Sequence, residues 1–330
     1  MKINEQYHNL NLLENVTYEF LGRDGETHEE TEPILVEHMM DVYVNERLTM
    51  KLVCIPQHLT ELVLGRLFTE GIISSAEDVE QIYICEFGKR ARVILSKNKS
   101  GQSHEENEDY VAPTPTCCTG NRVLNDYFIT DQPMTPVTPV PWKKQWIFDL
   151  ADCFANGTPL HSQTWATHSC FLACDGELLF QCEDIGRHNA LDKAIGYALR
   201  HNIDLKKCVV YSSGRIPTDM AIKAIRAGIP VLASKASPSA EAVAMAKEYF
   251  GIRSWISLPE IIRQNKFCNT LCIVQFKEWN IFQYRQCFSF LCIQIGGDRH
   301  QFLWIADTFC RISLTDNLNF RISTVFKSFQ

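Results

Sequence analysis

Two adjacent cysteines, Cys117 and Cys118, are the residues whose type and spacing most directly suggest chemistry. They lie in the segment Thr-Pro-Thr-Cys-Cys-Thr-Gly-Asn at residues 114–121. Proline favours extended backbone, and the glycine and asparagine tolerate the positive φ angles of a tight turn, so we expect an exposed bend. A cysteine attacks as its thiolate, which the charge of Arg122 would stabilise. The segment predicts a reactive sulfur; the alternative is a pair of ordinary small apolar residues.

Three cations, Arg187, Arg215 and Lys235, occur near the predicted starts of three successive helices. A cation there opposes the helix dipole at a cost of up to about 1 kcal/mol, whereas the free N–H groups of a helix start bind phosphates. The repetition therefore predicts a site for a nucleotide or a diphosphate. The alternative is that the cations form surface ion pairs with nearby carboxylates: Glu183, Asp184 and Asp219.

Two histidines are weaker candidates. His168 precedes a predicted strand, where it would line the same cleft, transfer a proton or serve a structural role. His188 and Asp192 are one helical turn apart, which suits an oriented base or a simple hydrogen bond along the helix. The chain has no zinc-deaminase signature, and Cys268 and Cys272 lack a second ligand pair, so we expect no metal bound directly by the protein.

Hydrophobic periodicity and turn residues predict the elements that position these groups. In the first part we expect a β-hairpin within residues 33–56 that turns at Asn45-Glu46, a helix at 58–70, and strands at 79–85 and 90–95. In the second part we expect a helix at 142–155, a hairpin at 169–182, and alternating helices and strands at 187–201, 209–212, 218–227, 230–234 and 239–250. Such a chain is α/β, with a mostly parallel sheet whose carboxyl ends hold ligands, beside a smaller N-terminal α+β domain.

Composition limits the partners. The net charge of −7 and the absence of a basic stripe argue against nucleic acid as a partner. No run of about 18 apolar residues predicts a membrane span, and the first residues lack the apolar region of a secretory signal. The 14 cysteines are scattered, which favours free thiols in a reducing compartment. We expect a cytoplasmic protein.

Several separated motifs resemble those of the FdhD/NarQ family of formate dehydrogenase accessory sulfurtransferases. They are Glu-Asp-Ile-Gly-Arg-His-Asn-Ala-Leu-Asp-Lys at 183–193, Thr-His-Ser at 167–169, Ser-Gly-Arg at 213–215, Ala-Gly-Ile-Pro-Val-Leu at 227–232 and Leu-Phe-Thr-Glu-Gly-Ile-Ile at 67–73. The resemblance implies a cytoplasmic homodimer whose larger domain has a cytidine-deaminase-like fold without zinc. It also implies transfer of sulfur, as a cysteine persulfide, from a cysteine desulfurase to the molybdenum of the bis(molybdopterin guanine dinucleotide) cofactor, which activates formate dehydrogenase.

The resemblance also assigns roles to residues. It makes Cys118 the persulfide carrier, with Cys117 as the close alternative, and it places Asn121 where many members have a second cysteine. The residues that it implies contact the cofactor's phosphates or guanine are Arg187, His188, Ser213, Gly214, Arg215, Lys235 and Ser237. His168 is a further candidate for the same cleft.

We expect four regions: an N-terminal α+β domain (1–112), the cysteine loop (113–127), the cofactor-binding domain (128–252) and an atypical tail (253–330). The tail shows no clear helix or strand period and resembles wrong-frame or read-through translation, whereas family members finish soon after Ile252 with a final strand. Two functions remain open. One is a persulfide sulfurtransferase; the other is a non-catalytic molybdopterin- or nucleotide-binding protein in which the altered loop and tail have abolished transfer.

Overall fold

The structure, a computed structural model, describes residues 1–23, 25–96, 113–114, 134–138, 140–249, 256–259 and 269–274. Its strands are β1 (Lys2–Glu5), β2 (Leu13–Leu21), β3 (Thr27–Leu35), β4 (His38–Val44), β5 (Arg47–Cys54), β6 (Val79–Ile84), β7 (Arg90–Leu95), β8 (Pro113–Thr114), β9 (His168–Cys174), β10 (Glu177–Asp184), β11 (Cys208–Ser212), β12 (Val231–Ser234), β13 (Ile256–Pro259) and β14 (Asn269–Val274). Its helices are α1 (Leu59–Thr69), α2 (Lys144–Ala155), α3 (His161–Thr164), α4 (Arg187–Arg200), α5 (Thr218–Arg226) and α6 (Ala240–Tyr249), with 3-10 turns at Ala76–Asp78 and Leu205–Lys207. The predicted α/β class is confirmed.

The first sheet has the strand order β1-β6-β7-β4-β5-β8. Strands β4 and β5 form the predicted hairpin, and Asn45 and Glu46 at its turn both have left-handed backbone, with φ of 47° and 67°. Helix α1 packs on this sheet through buried leucines such as Leu62 and Leu67. Strand β8 pairs with β5 and lies at the edge of this sheet. Cys117 and Cys118 themselves lie outside the described residues.

The second sheet has the strand order β10-β9-β11-β12-β14-β13 and is covered on both faces. Residues alternate along β9, so that Cys170 and Leu172 face helices α4, α5 and α6 while Phe171 and Ala173 face helix α2. Strands β9, β11 and β12 are almost continuously apolar, because both faces of the sheet are buried.

Strand directions are more mixed than the repeated βα order predicted. In the described part of this sheet, β11 and β12 run parallel, whereas β9 is antiparallel to both β10 and β11. The reason is that a helix crossover joins β11 to β12, while β9 and β10 are joined by the predicted tight turn at Asp175 and Gly176. The resemblance to the cytidine deaminase fold stays a prediction, as do the domain boundaries.

Two pairs of strands are among the elements that were not predicted from the sequence. Strands β2 and β3 form a separate two-stranded sheet with mostly exposed side chains, where the polar sequence showed no apolar alternation. Strands β13 and β14 lie within the segment that showed no strand period, and β14 pairs antiparallel with β12. Apart from these ten residues, the tail from Arg253 lies outside the described part of the chain.

Helices α1 and α4 cross at two glycines. A Cβ atom built on Gly65 would lie 1.8 Å from the backbone oxygen of Asp192, and one built on Gly196 would lie 1.8 Å from that of Glu61. The two helix backbones therefore touch, and helix α4 joins the first sheet to the second. None of the helices in the described ranges is long and apolar enough to span a membrane.

Candidate functional site

A pocket of about 530 Å³ opens where three strand ends of the second sheet meet. The end of β11 continues into Ser213, the end of β12 continues into Lys235, and β9 begins at His168. Because β9 runs antiparallel to β11, its first residue lies beside their carboxyl ends. The lining residues are Phe154, His161, Trp165, Ala166, Thr167, His168, Ser213, Lys235, Ala236 and Ser237. The prediction that ligands meet the carboxyl ends of the strands thus coincides with a cavity.

Hydrogen bonds fix the loops that form the pocket floor. The backbone N–H of Ser169 donates to Ser213 Oγ at 2.8 Å, and the Ser213 N–H donates to the Ser169 carbonyl at 3.0 Å. The Ser234 hydroxyl donates to the Gly214 carbonyl at 2.5 Å and accepts from the Ala236 N–H at 3.0 Å. The loops after β11 and β12 are therefore joined to each other and to β9.

The pocket contains a cation, Lys235, and an aromatic wall formed by the rings of His161 and Trp165. Lys235 Nζ lies 4.8 Å from the ring centroid of Phe154, a cation–π distance. The His161 ring centroid lies 5.9 Å from that of Phe154 and 5.4 Å from that of Trp165. The pocket thus combines positive charge and hydroxyl groups with the aromatic surface of His161 and the exposed Trp165.

Glu183 holds the loop that carries this aromatic wall. Its carboxylate is buried and accepts from the hydroxyls of Thr158 at 2.6 Å and Thr167 at 2.9 Å. It also accepts from the backbone N–H groups of Leu160 at 2.9 Å and His161 at 2.7 Å. The sequence alone suggests Glu183 as a partner for a surface cation, whereas its contacts show that it is an internal anchor.

Four of the eight predicted cofactor-binding residues line the pocket, namely His168, Ser213, Lys235 and Ser237. Arg187 and Gly214 lie at its margin. A Cβ on Gly214 would be 2.9 Å from Arg187 Cβ and 3.2 Å from His168 Nδ1, so only glycine lets these three residues pack together. Arg215 is exposed on the loop between β11 and α5.

His188 is placed differently from the predicted ligand contact. It is buried on helix α4, and its Nε2 lies 2.6 Å from Asp219 Oδ2 at the start of helix α5. Burial lowers the pKa of His188, while the Asp219 contact partly opposes that shift. Its predicted i, i+4 neighbour Asp192 instead contacts Arg66 and Lys223. The pairing of His188 with Asp192 along the helix is therefore not formed, and Asp219 is the carboxylate that holds His188.

His168 is the titratable residue of the pocket whose pKa is clearly shifted. Burial lowers the pKa of His168 below its ordinary value, and the positive charge of Arg187 lowers it further. The unliganded pocket therefore favours neutral His168 near pH 7. An anion bound nearby would favour the charged form and raise the pKa.

Several pocket residues were missed from the sequence. Phe154 was assigned to the apolar face of a predicted helix, and His161, Trp165 and Thr167 lie in or beside a short helix that has no periodic signal. Only their closeness to the motif at 167–169 pointed toward the site. Side chains from α2, α3 and three strands converge there, and sequence spacing does not reveal that convergence.

Ligands of α/β proteins commonly bind in pockets at the carboxyl ends of the strands, and this pocket lies at such a place. Residues 35–253 match the FdhD/NarQ family. The chain is 33% identical over 229 residues to the sulfur carrier protein FdhD of Bacillus pumilus, covering 68% of this chain and 85% of that protein. It is 29% identical over 218 residues to the protein of the same name from Listeria monocytogenes serotype 4b, covering 65% and 82% respectively.

A solved structure gives the same assignment. The crystal structure of a putative formate dehydrogenase accessory protein from Desulfotalea psychrophila is similar, with a TM-score of 0.55 and 27% identity. The match covers 72% of this chain and 90% of that one. The chain belongs to the FdhD/NarQ family, as its motifs predicted.

Proposed function

We propose that this chain is a cytoplasmic sulfurtransferase that serves formate dehydrogenase. It carries sulfur as a persulfide on Cys118, from a cysteine desulfurase to the bis(molybdopterin guanine dinucleotide) molybdenum cofactor, and it acts as a homodimer. Family membership and the sulfur carrier names of the relatives support this function. The observation that carries the proposal is the pocket itself, which combines Lys235 with the aromatic wall of His161 and Trp165.

The charged and aromatic groups of the pocket suit the phosphates and the ring of a guanine nucleotide. Lys235 and the Ser213 hydroxyl supply a charge and a hydrogen-bonding group for phosphate oxygens. The exposed ring of Trp165 supplies flat surface on which a guanine or pterin ring would stack. The cofactor is the substrate in this scheme, and the pocket residues bind and orient it.

Sulfur loading is a displacement at sulfur. The Cys118 thiolate attacks the outer sulfur of the desulfurase persulfide, the S–S bond there breaks, and the desulfurase cysteine leaves as a thiolate. The product is a persulfide on Cys118, with no net oxidation. Only the thiolate attacks, so the reaction requires a deprotonated sulfur.

Incubation with a cysteine desulfurase and cysteine is expected to add one sulfur atom to the chain. The added sulfur should be lost in Cys118→Ala and kept in Cys117→Ala, because the proposal places the nucleophile at Cys118. Intact-protein and peptide mass spectrometry without reductant measure both results. A folded wild-type protein that gains no sulfur would instead support a non-catalytic cofactor-binding protein, and loss only in Cys117→Ala would move the carrier by one residue.

Binding of guanosine diphosphate is expected to strengthen as the pH falls through 6.5, the ordinary pKa of histidine. The free pocket holds the pKa of His168 below that value, and the bound anion raises it, so binding takes up a proton. We expect a gain in affinity of about two- to ten-fold. Calorimetry on wild type and His168→Gln separates this effect from titration of the ligand phosphate. Parallel pH profiles in the two proteins would contradict it.

A further inference from the structure

We propose that Glu183 is the positioning residue of the pocket, and that it sets the aromatic wall for the planar ring of the bound ligand. The proposal rests on the proposed function, since it concerns the same pocket. Glu183 lies at the end of strand β10, on a different element from any residue that lines the cavity. It acts through residues 158–167 rather than by touching the ligand.

The Glu183 carboxylate acts as the acceptor in each of its four hydrogen bonds in this cluster. All four groups that face the Glu183 carboxylate are donors: the Thr158 and Thr167 hydroxyls and the Leu160 and His161 N–H groups. Because Thr158 spends its proton on Glu183, the Ser169 hydroxyl must donate in its 3.1 Å contact with Thr158 Oγ1. The carboxylate therefore orients hydroxyl protons as well as backbone.

The same cluster determines that Nδ1 of the His161 ring carries a proton. Its Nδ1 lies 3.0 Å from the carbonyl oxygen of Thr167, which can only accept, so the proton is on Nδ1. A neutral His161 then has an acceptor at Nε2. Glu183 holds both ends of this contact, since it binds the backbone N–H of His161 and the hydroxyl of Thr167.

An amide cannot replace the carboxylate. In Glu183→Gln one oxygen becomes an NH2 group, which has two donors and no acceptor, so at least one of the four donors loses its partner and meets another donor. The side chain keeps its volume. The expected consequence is a loosened 158–167 loop on an otherwise intact sheet.

Hydrogen exchange of the ligand-free full-length protein tests the positioning role directly. In Glu183→Gln we expect the peptides covering 158–167 to exchange about ten-fold faster, while those of helix α4 and strand β11 are unchanged. Glu177→Gln is the matched control, because it makes the same change at an exposed position of strand β10. Unchanged exchange at 158–167, or faster exchange throughout the protein, would overturn the proposal.

Ligand affinity tests the consequence for the pocket. Guanosine diphosphate should bind Glu183→Gln about ten-fold more weakly than it binds the wild type. Pyrophosphate lacks the ring and would bind at Lys235, so it should bind the wild type and Glu183→Gln equally. An equal loss for both ligands, or no loss for either, would overturn the proposal. If the wild type binds no guanosine diphosphate, the proposed function fails at this pocket and the assignment of the wall to a ligand ring falls with it. The hydrogen-exchange experiment needs no ligand, so it still tests whether Glu183 positions the 158–167 loop. It therefore separates failure of the proposed function from failure of the positioning role.

Discussion

Replacing Gly196 with alanine is expected to destabilise the protein by more than about 3 kcal/mol. The added methyl group would lie 1.8 Å from the Glu61 carbonyl oxygen and 2.8 Å from the Gly65 backbone nitrogen. Both are backbone atoms, so no side chain can rotate away, and helices α1 and α4 must separate. Overpacking costs 1–3 kcal/mol typically and more where the backbone must move. Urea unfolding followed by circular dichroism measures the change.

The expected loss of stability is opposite in sign to the usual effect of this substitution in a helix, so the test is strict. Glycine to alanine inside a helix normally stabilises it by about 0.5–1 kcal/mol. Gly65→Ala should behave like Gly196→Ala, since its methyl group would meet the Asp192 carbonyl at 1.8 Å. Gly25→Ala is the control, because nothing lies within 4 Å of its added methyl and only its φ of 85° is unfavourable. A Gly196→Ala protein as stable as wild type would show that the two helices do not touch at this point.

Replacing Asp192 with asparagine is expected to cost about 3–5 kcal/mol of stability. The Asp192 carboxylate is fully buried, and it contacts Lys223 Nζ at 2.5 Å, Arg66 Nη1 at 3.3 Å and Thr69 Oγ1 at 2.8 Å. Removing its charge leaves the buried Lys223 ammonium without its carboxylate partner, which is the costly way to break an ion pair. Denaturant midpoints measure the loss, with Asp152→Asn on the exposed side of helix α2 as the control.

A double substitution shows whether the charges are the cause. Burial lowers the pKa of Lys223, and the nearby Arg66 charge lowers it further, so Lys223 depends on Asp192 to stay charged. Asp192→Asn combined with Lys223→Met removes both charges and should be clearly more stable than the sum of the single changes predicts. Additive losses would mean that Asp192 and Lys223 are not energetically coupled.

Local signals in the sequence predicted the elements but not the long-range contacts. The turn at Asn45-Glu46, helix α4 and helix α5 follow from turn chemistry and periodicity, and each lies within two residues of its expected bounds. In the motif at 183–193, the sequence predicted ligand contacts for Arg187 and His188 but no long-range partners for the other polar residues. In the structure Asp184 binds Lys193 and the Ile55 N–H, and Asn189 donates to the Val53 carbonyl.

Only some residues of the candidate site could be predicted, because the others depend on long-range contacts. His168, Ser213, Lys235 and Ser237 could be found because they stand at strand ends, where parallel and antiparallel neighbours bring such residues together. The role of Glu183 could not, because its partners Thr158 and Thr167 lie on a loop whose course depends on the folded sheet. Burial and donor direction become visible only in three dimensions.

The stretch at 183–193 has a consequence for genetics. Several of its side chains anchor the pocket wall, as Glu183 does, or contact strand β5, the residue after it or helix α1, as Asp184, Asn189, Asp192 and Lys193 do. In a selection for inactive alleles, this stretch would collect many hits because the encoded proteins fail to accumulate. Clustering of such alleles would then map where the chain is hardest to fold. An allele from this stretch informs on ligand binding only when its protein reaches normal abundance in the cell.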